Sequence, residues 1–197
     1  LQTAVASGTC GEGVSWAYDG DGTLSIFGLG SMADYSWNDA PWTEYKDQIK
    51  TVIIEDGVTR IGNYAFYEFG SLTSVSIPEG VTSIGTSVFE GCALTSISIP
   101  EGVTSIGASA FAGCDLTSVT IPKSVMSIGA SAFAACDLMS VAIPEGITSI
   151  ERDTFINCSS LTSVTLPESL TSIGESAFVD CALTRITIPQ NVTSLGK

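Results

Sequence analysis

Residues 72–92 read LTSVSIPEGVTSIGTSVFEGC, and residues 94–114 repeat them almost letter for letter as LTSISIPEGVTSIGASAFAGC. Leu72, Val75 and Ile77 open the stretch as an extended segment, Val75 and Ile77 pointing inward and Ser74 and Ser76 outward. Pro78 ends that segment, since it has no N–H to give to a ladder. After a turn at Glu79-Gly80, a second short extended piece carries Val81 and Ile84 inward. Gly85 then opens a compact turn, read as helical or 3₁₀, that holds Phe89 and Cys92.

The same beat runs outward in both directions. Pro78, Pro100, Pro122, Pro144, Pro167 and Pro189 recur at intervals of 22 or 23 residues. Phe66, Phe89, Phe111, Phe133, Phe155 and Phe178 keep the interval, as do Cys92, Cys114, Cys136, Cys158 and Cys181, with Phe69 in the equivalent first place. Three ladders in one register define a tandem array, with units at 49–71, 72–93, 94–115, 116–137, 138–160, 161–182 and a partial 183–197. One unit cannot bury enough apolar surface to fold alone, so neighbouring coils must cover each other. The expected architecture is a strand-rich α/β solenoid. One face carries a parallel β-sheet, with strands starting near residues 50, 73, 95, 117, 139, 162 and 184, and short strands and helical or 3₁₀ turns form the other. Glycine recurs at 62, 85, 107, 129, 174 and 196, as a positive φ or a close approach between coils would require, and Glu151 breaks the series.

Residues 1–48 lack the repeat and read as an amino-terminal cap. A β-hairpin over 14–27 turns at Asp19-Gly20-Asp21-Gly22, whose Asp-x-Asp-Gly also matches the start of a calcium loop but not its remaining ligands. A short helix is expected over 41–49. Trp16, Trp37, Trp42, Tyr35 and Tyr45 read as a plug for the open end of the solenoid, with a sugar-stacking platform as the alternative.

Composition narrows the chemistry. The 21 acidic and 7 basic residues leave a net charge of −14, which repels phosphate backbones, so nucleic acid is not an expected partner. No apolar stretch approaches the roughly 18 residues needed to span a bilayer, so no membrane insertion is expected. The chain has no His, the commonest general base and metal ligand, and no nucleophile elbow, phosphate loop or convergent acid pair. No catalytic residue, metal site or cofactor is therefore assigned. The repeat cysteines read as buried structural thiols. Parallel stacking would keep their Cβ vectors from converging, as a disulfide requires, and Cys10 has no evident partner.

The ordered recurrence of Ile-Pro, Val-x-Ile-Gly, Ala-Phe and Cys over 49–197 resembles the BspA-type leucine-rich repeats of bacterial surface proteins. Cys10-Gly11, Trp16, Asp21-Gly22-Thr23-Leu24, Gly30-Ser31-Met32 and Pro41-Trp42 are similar to the cap that precedes such arrays. The commoner leucine-rich consensus places Asn or Cys three residues after the strand; here Gly80 and its equivalents stand there, so the Asn-ladder geometry is not carried over. The resemblance implies a secreted or cell-surface protein that adheres to a host or extracellular protein or a glycan. The alternative is a structural spacer for another domain. The candidate binding residues are the outward strand positions Ser74, Ser76, Ser96, Ser98, Ser118, Thr120, Ser163, Thr165 and Arg185, which read either as good β-surface residues or as a hydrogen-bonding face.

Two expectations concern the chain ends. Leu1 in place of Met points to a removed leader or to a boundary set just after a secretion signal. At the other end, nothing after Ile186, Ile188, Val192 and Leu195 covers the last apolar face, so the expectation is that the chain continues or self-associates there.

Overall fold

The computed structural model describes residues 4–197 as a continuous β-solenoid with a strand-built cap. The cap opens with β1 (Ala6–Gly11), β2 (Val14–Tyr18) and β3 (Thr23–Gly28), which pair antiparallel in sequence order. β2 and β3 are the expected hairpin. β1 was not anticipated, because Ser7-Gly8-Thr9 carries no apolar alternation to mark a strand. A short β4 (Gly30–Ser31) follows. The helix expected over 41–49 is absent: only Thr43–Tyr45 forms a 3₁₀ turn. The N–H groups of Lys50 and Thr51 already bond to Gly22 O, which commits the chain to a strand before a helix has room to grow.

In the array, β5 (Thr51–Ile54), β7 (Ser74–Ser76), β11 (Ser140–Ala142) and β13 (Ser163–Thr165) form the front. The second side comprises β6 (Val58–Ile61), β8 (Ser83–Ile84), β9 (Ser105–Ile106), β10 (Ser127–Ile128), β12 (Ser149–Ile150), β14 (Ser172–Ile173) and β15 (Ser194–Leu195). All array pairings are parallel. The cap joins both sides, since β3 pairs with β5 and β4 with β6. It is a divergent first coil.

The front is less regular than expected. Strands were expected in all seven units, yet 95–99, 117–121 and 184–188 contain none, and only a bridge joins Ser98 to Thr120. Coil length tracks the difference. Ile49 to Leu72 and Leu138 to Leu161 span 23 residues, and across these two junctions β5 pairs with β7 and β11 with β13. Each added residue forms a turn just before the strand, closed by Leu72 N–H to Phe69 O and Leu161 N–H to Cys158 O. The 22-residue coils lack that turn. Ile97, Ile99, Ile121, Val141 and Ile143 after shorter coils are buried and Val119 partly so, Val75, Ile77, Val164 and Leu166 after the longer coils are partly buried, and Ile188 near the end is exposed.

The third side corrects the helical reading. Tyr64, Ser87, Ser109, Ser131, Asp153 and Ser176 all have φ between 48° and 58°, and a second positive φ follows four residues later, at Glu68, Gly91, Gly113, Ala135, Asn157 and Asp180. Two left-handed residues per turn exclude a helix. They instead aim alternate N–H groups at the next coil: Ser87 to Ala108 O, Phe89 to Ala110 O and Gly91 to Ala112 O, at 2.8 to 2.9 Å. This triplet recurs for 64, 66 and 68 and for every coil through residue 157. Along it the Phe rings stack from Phe66 to Phe178, with centroids 5.5 to 5.7 Å apart and planes within 17°. This turn-side spine is continuous through the array.

The glycine series is explained by close approach, not by φ. A Cβ on Gly107 would lie 2.6 Å from Gly85 C, and one on Gly129 only 2.4 Å from Ala108 N. Glu151 brings such a Cβ. Across that junction β10 and β12 do not pair, and the second side divides into β4-β6-β8-β9-β10 and β12-β14-β15. The spine crosses the same junction intact, with Phe133 N–H on Thr154 O and the two rings 5.7 Å apart.

Candidate functional site

All nine outward front positions, Ser74, Ser76, Ser96, Ser98, Ser118, Thr120, Ser163, Thr165 and Arg185, are exposed, and Ile97 between Ser96 and Ser98 is buried. The register is therefore the expected one. The setting is not uniform. Ser74, Ser76, Ser163 and Thr165 lie on strands, Ser98 and Thr120 share the bridge, and Ser96, Ser118 and Arg185 lie on segments outside strands. Where the front fails to pair beyond β13, Thr162, Ser163, Val164, Thr184, Arg185, Ile186 and Thr187 border a groove of about 280 Å³. Arg185 stands at this groove without an ion pair, while the ion pairs among the described residues are Arg60–Asp34 and Arg152–Asp153. The front is thus a hydroxyl face with one cation near its end.

A second hydroxyl file was not anticipated. Ser83, Ser105 and Ser127 stand in register on the second side, and with Arg60, Asn63 and Thr86 they line another shallow groove. Beside them Thr82 and Thr104 donate from Oγ1 to the carbonyl of the equivalent Thr one coil back, at 3.2 and 3.1 Å. Those Thr hydroxyls are spent on stacking. Met126 interrupts the Thr file and is exposed. The period was visible in the sequence, but this side was read only for its inward Val and Ile.

The cysteines form a thiol ladder. Cys92, Cys114, Cys136, Cys158 and Cys181 each place Sγ 3.0 to 3.2 Å from the carbonyl of the Phe in the preceding coil, from Phe66 to Phe155. Each thiol thus satisfies a backbone acceptor inside the stack, a part that Asn plays in the commoner leucine-rich design. Burial pushes the Cys114 thiol up to about 12 and Cys158 to about 11, and raises Cys92, Cys136 and Cys181 as well. Nothing in this setting activates a nucleophile. Cys10 is buried in the cap, and its thiol is raised to about 12 by desolvation.

In the cap, Asp19 Oδ1 accepts from Asp21 N–H at 2.8 Å and Thr23 N–H at 2.9 Å, so this carboxylate closes the hairpin turn. Desolvation is the largest single influence and opposes its ionisation, but the hydrogen bonds from Thr23, Asp21 and Gly22 together outweigh it and lower its pKa. Among the described residues no group of three His, Cys, Asp or Glu side chains is placed to hold a metal ion, and no helix is long and apolar enough to cross a membrane. Trp42 does plug the end: it stacks on Phe66 at 5.5 Å and 22°, and its Nε1 donates to Ala65 O at 2.8 Å. Trp16 and Tyr35 pack edge-on against it, and Tyr45 stacks on the buried Tyr18. Trp37 does not belong to the plug. It is 65 % exposed and meets Tyr67 of the first coil.

Comparison with known proteins agrees with this geometry. The profile of the BspA type Leucine rich repeat region matches residues 44–104 and 82–197, in six copies. A leucine-rich repeat protein from Bacteroides ovatus superposes with a TM-score of 0.69 at 24 % identity, over 100 % of this chain and 60 % of its own. This chain thus spans about three fifths of that protein. The leucine-rich repeat protein of T. pallidum gives 0.71 at 24 % identity, over 88 % of this chain and 89 % of its own. No protein of curated function matches the chain.

Proposed function

Since the chain belongs to the BspA-type leucine-rich repeat family, we propose that it is a non-enzymatic binding module, secreted or held at the cell surface, that presents its front face to a host or extracellular protein or a polysaccharide. Leucine-rich repeats are a general binding scaffold. The observation that carries the reading is the division of labour around the coil: the Phe, Cys and Thr files are consumed by stacking, while the front hydroxyls and Arg185 point outward. A flat face of small donors and acceptors suits a partner that itself offers backbone amides or sugar hydroxyls. The localisation rests on the family resemblance.

The spacer reading draws on the same regularity, since a face that is uniform because stacking makes it so needs no ligand. An array of extracellular-matrix proteins and glycans separates the two. Saturable binding, weakened at least tenfold by Ser118→Arg and by Arg185→Glu, supports the front-face module. Binding to no member of the array favours the spacer, and binding indifferent to both substitutions moves the site off the front.

A further inference from the structure

The first coil departs from the repeat on its turn side, away from the front face. Tyr64 stands where later coils carry Ser87, Ser109, Ser131, Asp153 and Ser176, and it keeps the left-handed φ, 56°, that those small residues adopt. Tyr67 stands where they carry Glu90, Ala112, Ala134, Ile156 and Val179. Neither ring enters the core; both are half-buried and lie 5.7 Å apart, tilted at 54°. Trp37 of the cap completes a corner, its ring 6.4 Å from Tyr67 at 88°.

The corner is held rigidly. Trp37 sits in a reverse turn closed by Asp39 N–H to Ser36 O at 3.1 Å, and the preceding Tyr35 bonds through its N–H to Asn63 O and packs its ring on buried Trp42. An exposed indole in a pinned turn makes no contribution to the plug, which Trp42 already closes. The charge beside it has one sign. Glu68 and Glu90 lie on adjacent coils, joined by Glu68 N–H to Glu90 O at 2.7 Å, and neither forms an ion pair. Burial, then the negative charges of Glu90 and Glu68, raises the Tyr67 phenol pKa. Three aromatic rings at steep angles beside two unneutralised carboxylates, in a chain of net charge −14, complement a cation that offers a face to the rings and donors to the acids.

We propose that the corner formed by Trp37, Tyr64 and Tyr67 with Glu68 and Glu90 is a second binding site, which receives an Arg or Lys side chain from a basic segment of a protein partner. It is independent of the front-face reading. Cation–π attraction and a carboxylate together distinguish it from diffuse acidity, because a general negative field would have no preference for this corner.

The test uses the full chain and a hexa-arginine peptide, with affinity read by calorimetry and Trp37 followed by its emission, Trp16 and Trp42 being buried. A saturable shift in emission is expected, with affinity falling at least tenfold in Trp37→Ala and in the pair Glu68→Gln with Glu90→Gln. The pair Glu101→Gln with Glu145→Gln removes equal charge elsewhere and is expected to have little effect. Equal weakening by the two glutamine pairs would overturn the site in favour of diffuse attraction. Saturable binding of a neutral glucose hexamer that shifts Trp37 emission, indifferent to Glu68→Gln with Glu90→Gln and tighter than that of the peptide, would replace it with a sugar platform.

Discussion

The front and the second side of this solenoid are both interrupted, but in different places and for different reasons. The front loses its ladder where a coil is one residue short, so that the turn before the strand is missing. The second side keeps its ladder through the short coils and loses it only between β10 and β12, where Glu151 puts a Cβ into a contact that Gly gives elsewhere. Chain length governs one side, and the volume of a single atom governs the other. Neither break reaches the turn side, whose amide triplets, Phe stack and thiol ladder run on through both. That continuity predicts that stability resides mainly in the spine and leaves the front free to vary.

If the spine carries the array, ionising its thiols should do the greatest harm. Folding holds Cys92, Cys114 and Cys136 protonated above the ordinary thiol range, so their stabilisation is complete below about pH 9 and is lost as pH rises through the folded-state values, near 12 for Cys114. Each thiol that the unfolded chain releases first costs about 1.4 kcal/mol per pH unit. Urea midpoints between pH 8 and 11 should fall steeply, and less steeply in a variant with Cys114→Ala and Cys136→Ala. Equal slopes would remove the thiols from the explanation.

Phe111→Ala should cost about 3 to 5 kcal/mol, since the ring stacks on two neighbours and its cavity opens between coils that cannot both collapse into it. Ser118→Ala, on the front, should change stability by less than about 0.5 kcal/mol. Comparable losses in thermal melts would mean that the front shares the load.

The two glycine-file substitutions sharpen the comparison further. Gly107→Ala forces a Cβ against the backbone of Gly85 and Thr86, and should cost about 1 to 3 kcal/mol through displaced coils. Glu151→Gly should do the reverse and restore pairing between β10 and β12. Its gain is small, about 1 kcal/mol at most, because glycine's extra unfolded-state entropy offsets part of the recovered hydrogen bonding. A loss of stability in Glu151→Gly would show that the Cβ is not what parts the sheet.

The sequence carried the repeat period, the inward and outward sides of the front and the outward direction of all nine candidate residues, because stacking imposes one environment on each repeated position. It did not reveal the conformation of the turn. Ser-Ala-Phe spaced after Gly satisfies a helical pattern as well as a left-handed one, and only the demand that alternate amides reach the next coil excludes the helix. Nor did it reveal that Cys replaces the Asn ladder from a different place in the coil, since Cys was read for burial and not for its donor. Trp37 was grouped with the plug because aromatic content alone cannot separate a ring that closes an end from one that faces solvent.

Residue-resolved hydrogen exchange tests the division between spine and sheets most directly. The amides of Phe89, Phe111, Phe133 and Phe155, each bonded to the next coil, should be the most protected in the array and nearly equal, including Phe133 across the Glu151 junction. Thr95, Thr148 and Glu151, which have no such partner in the adjacent coil, should exchange early. Protection that peaks on the front strands, or that collapses at Phe133, would contradict an array held together by its turn side.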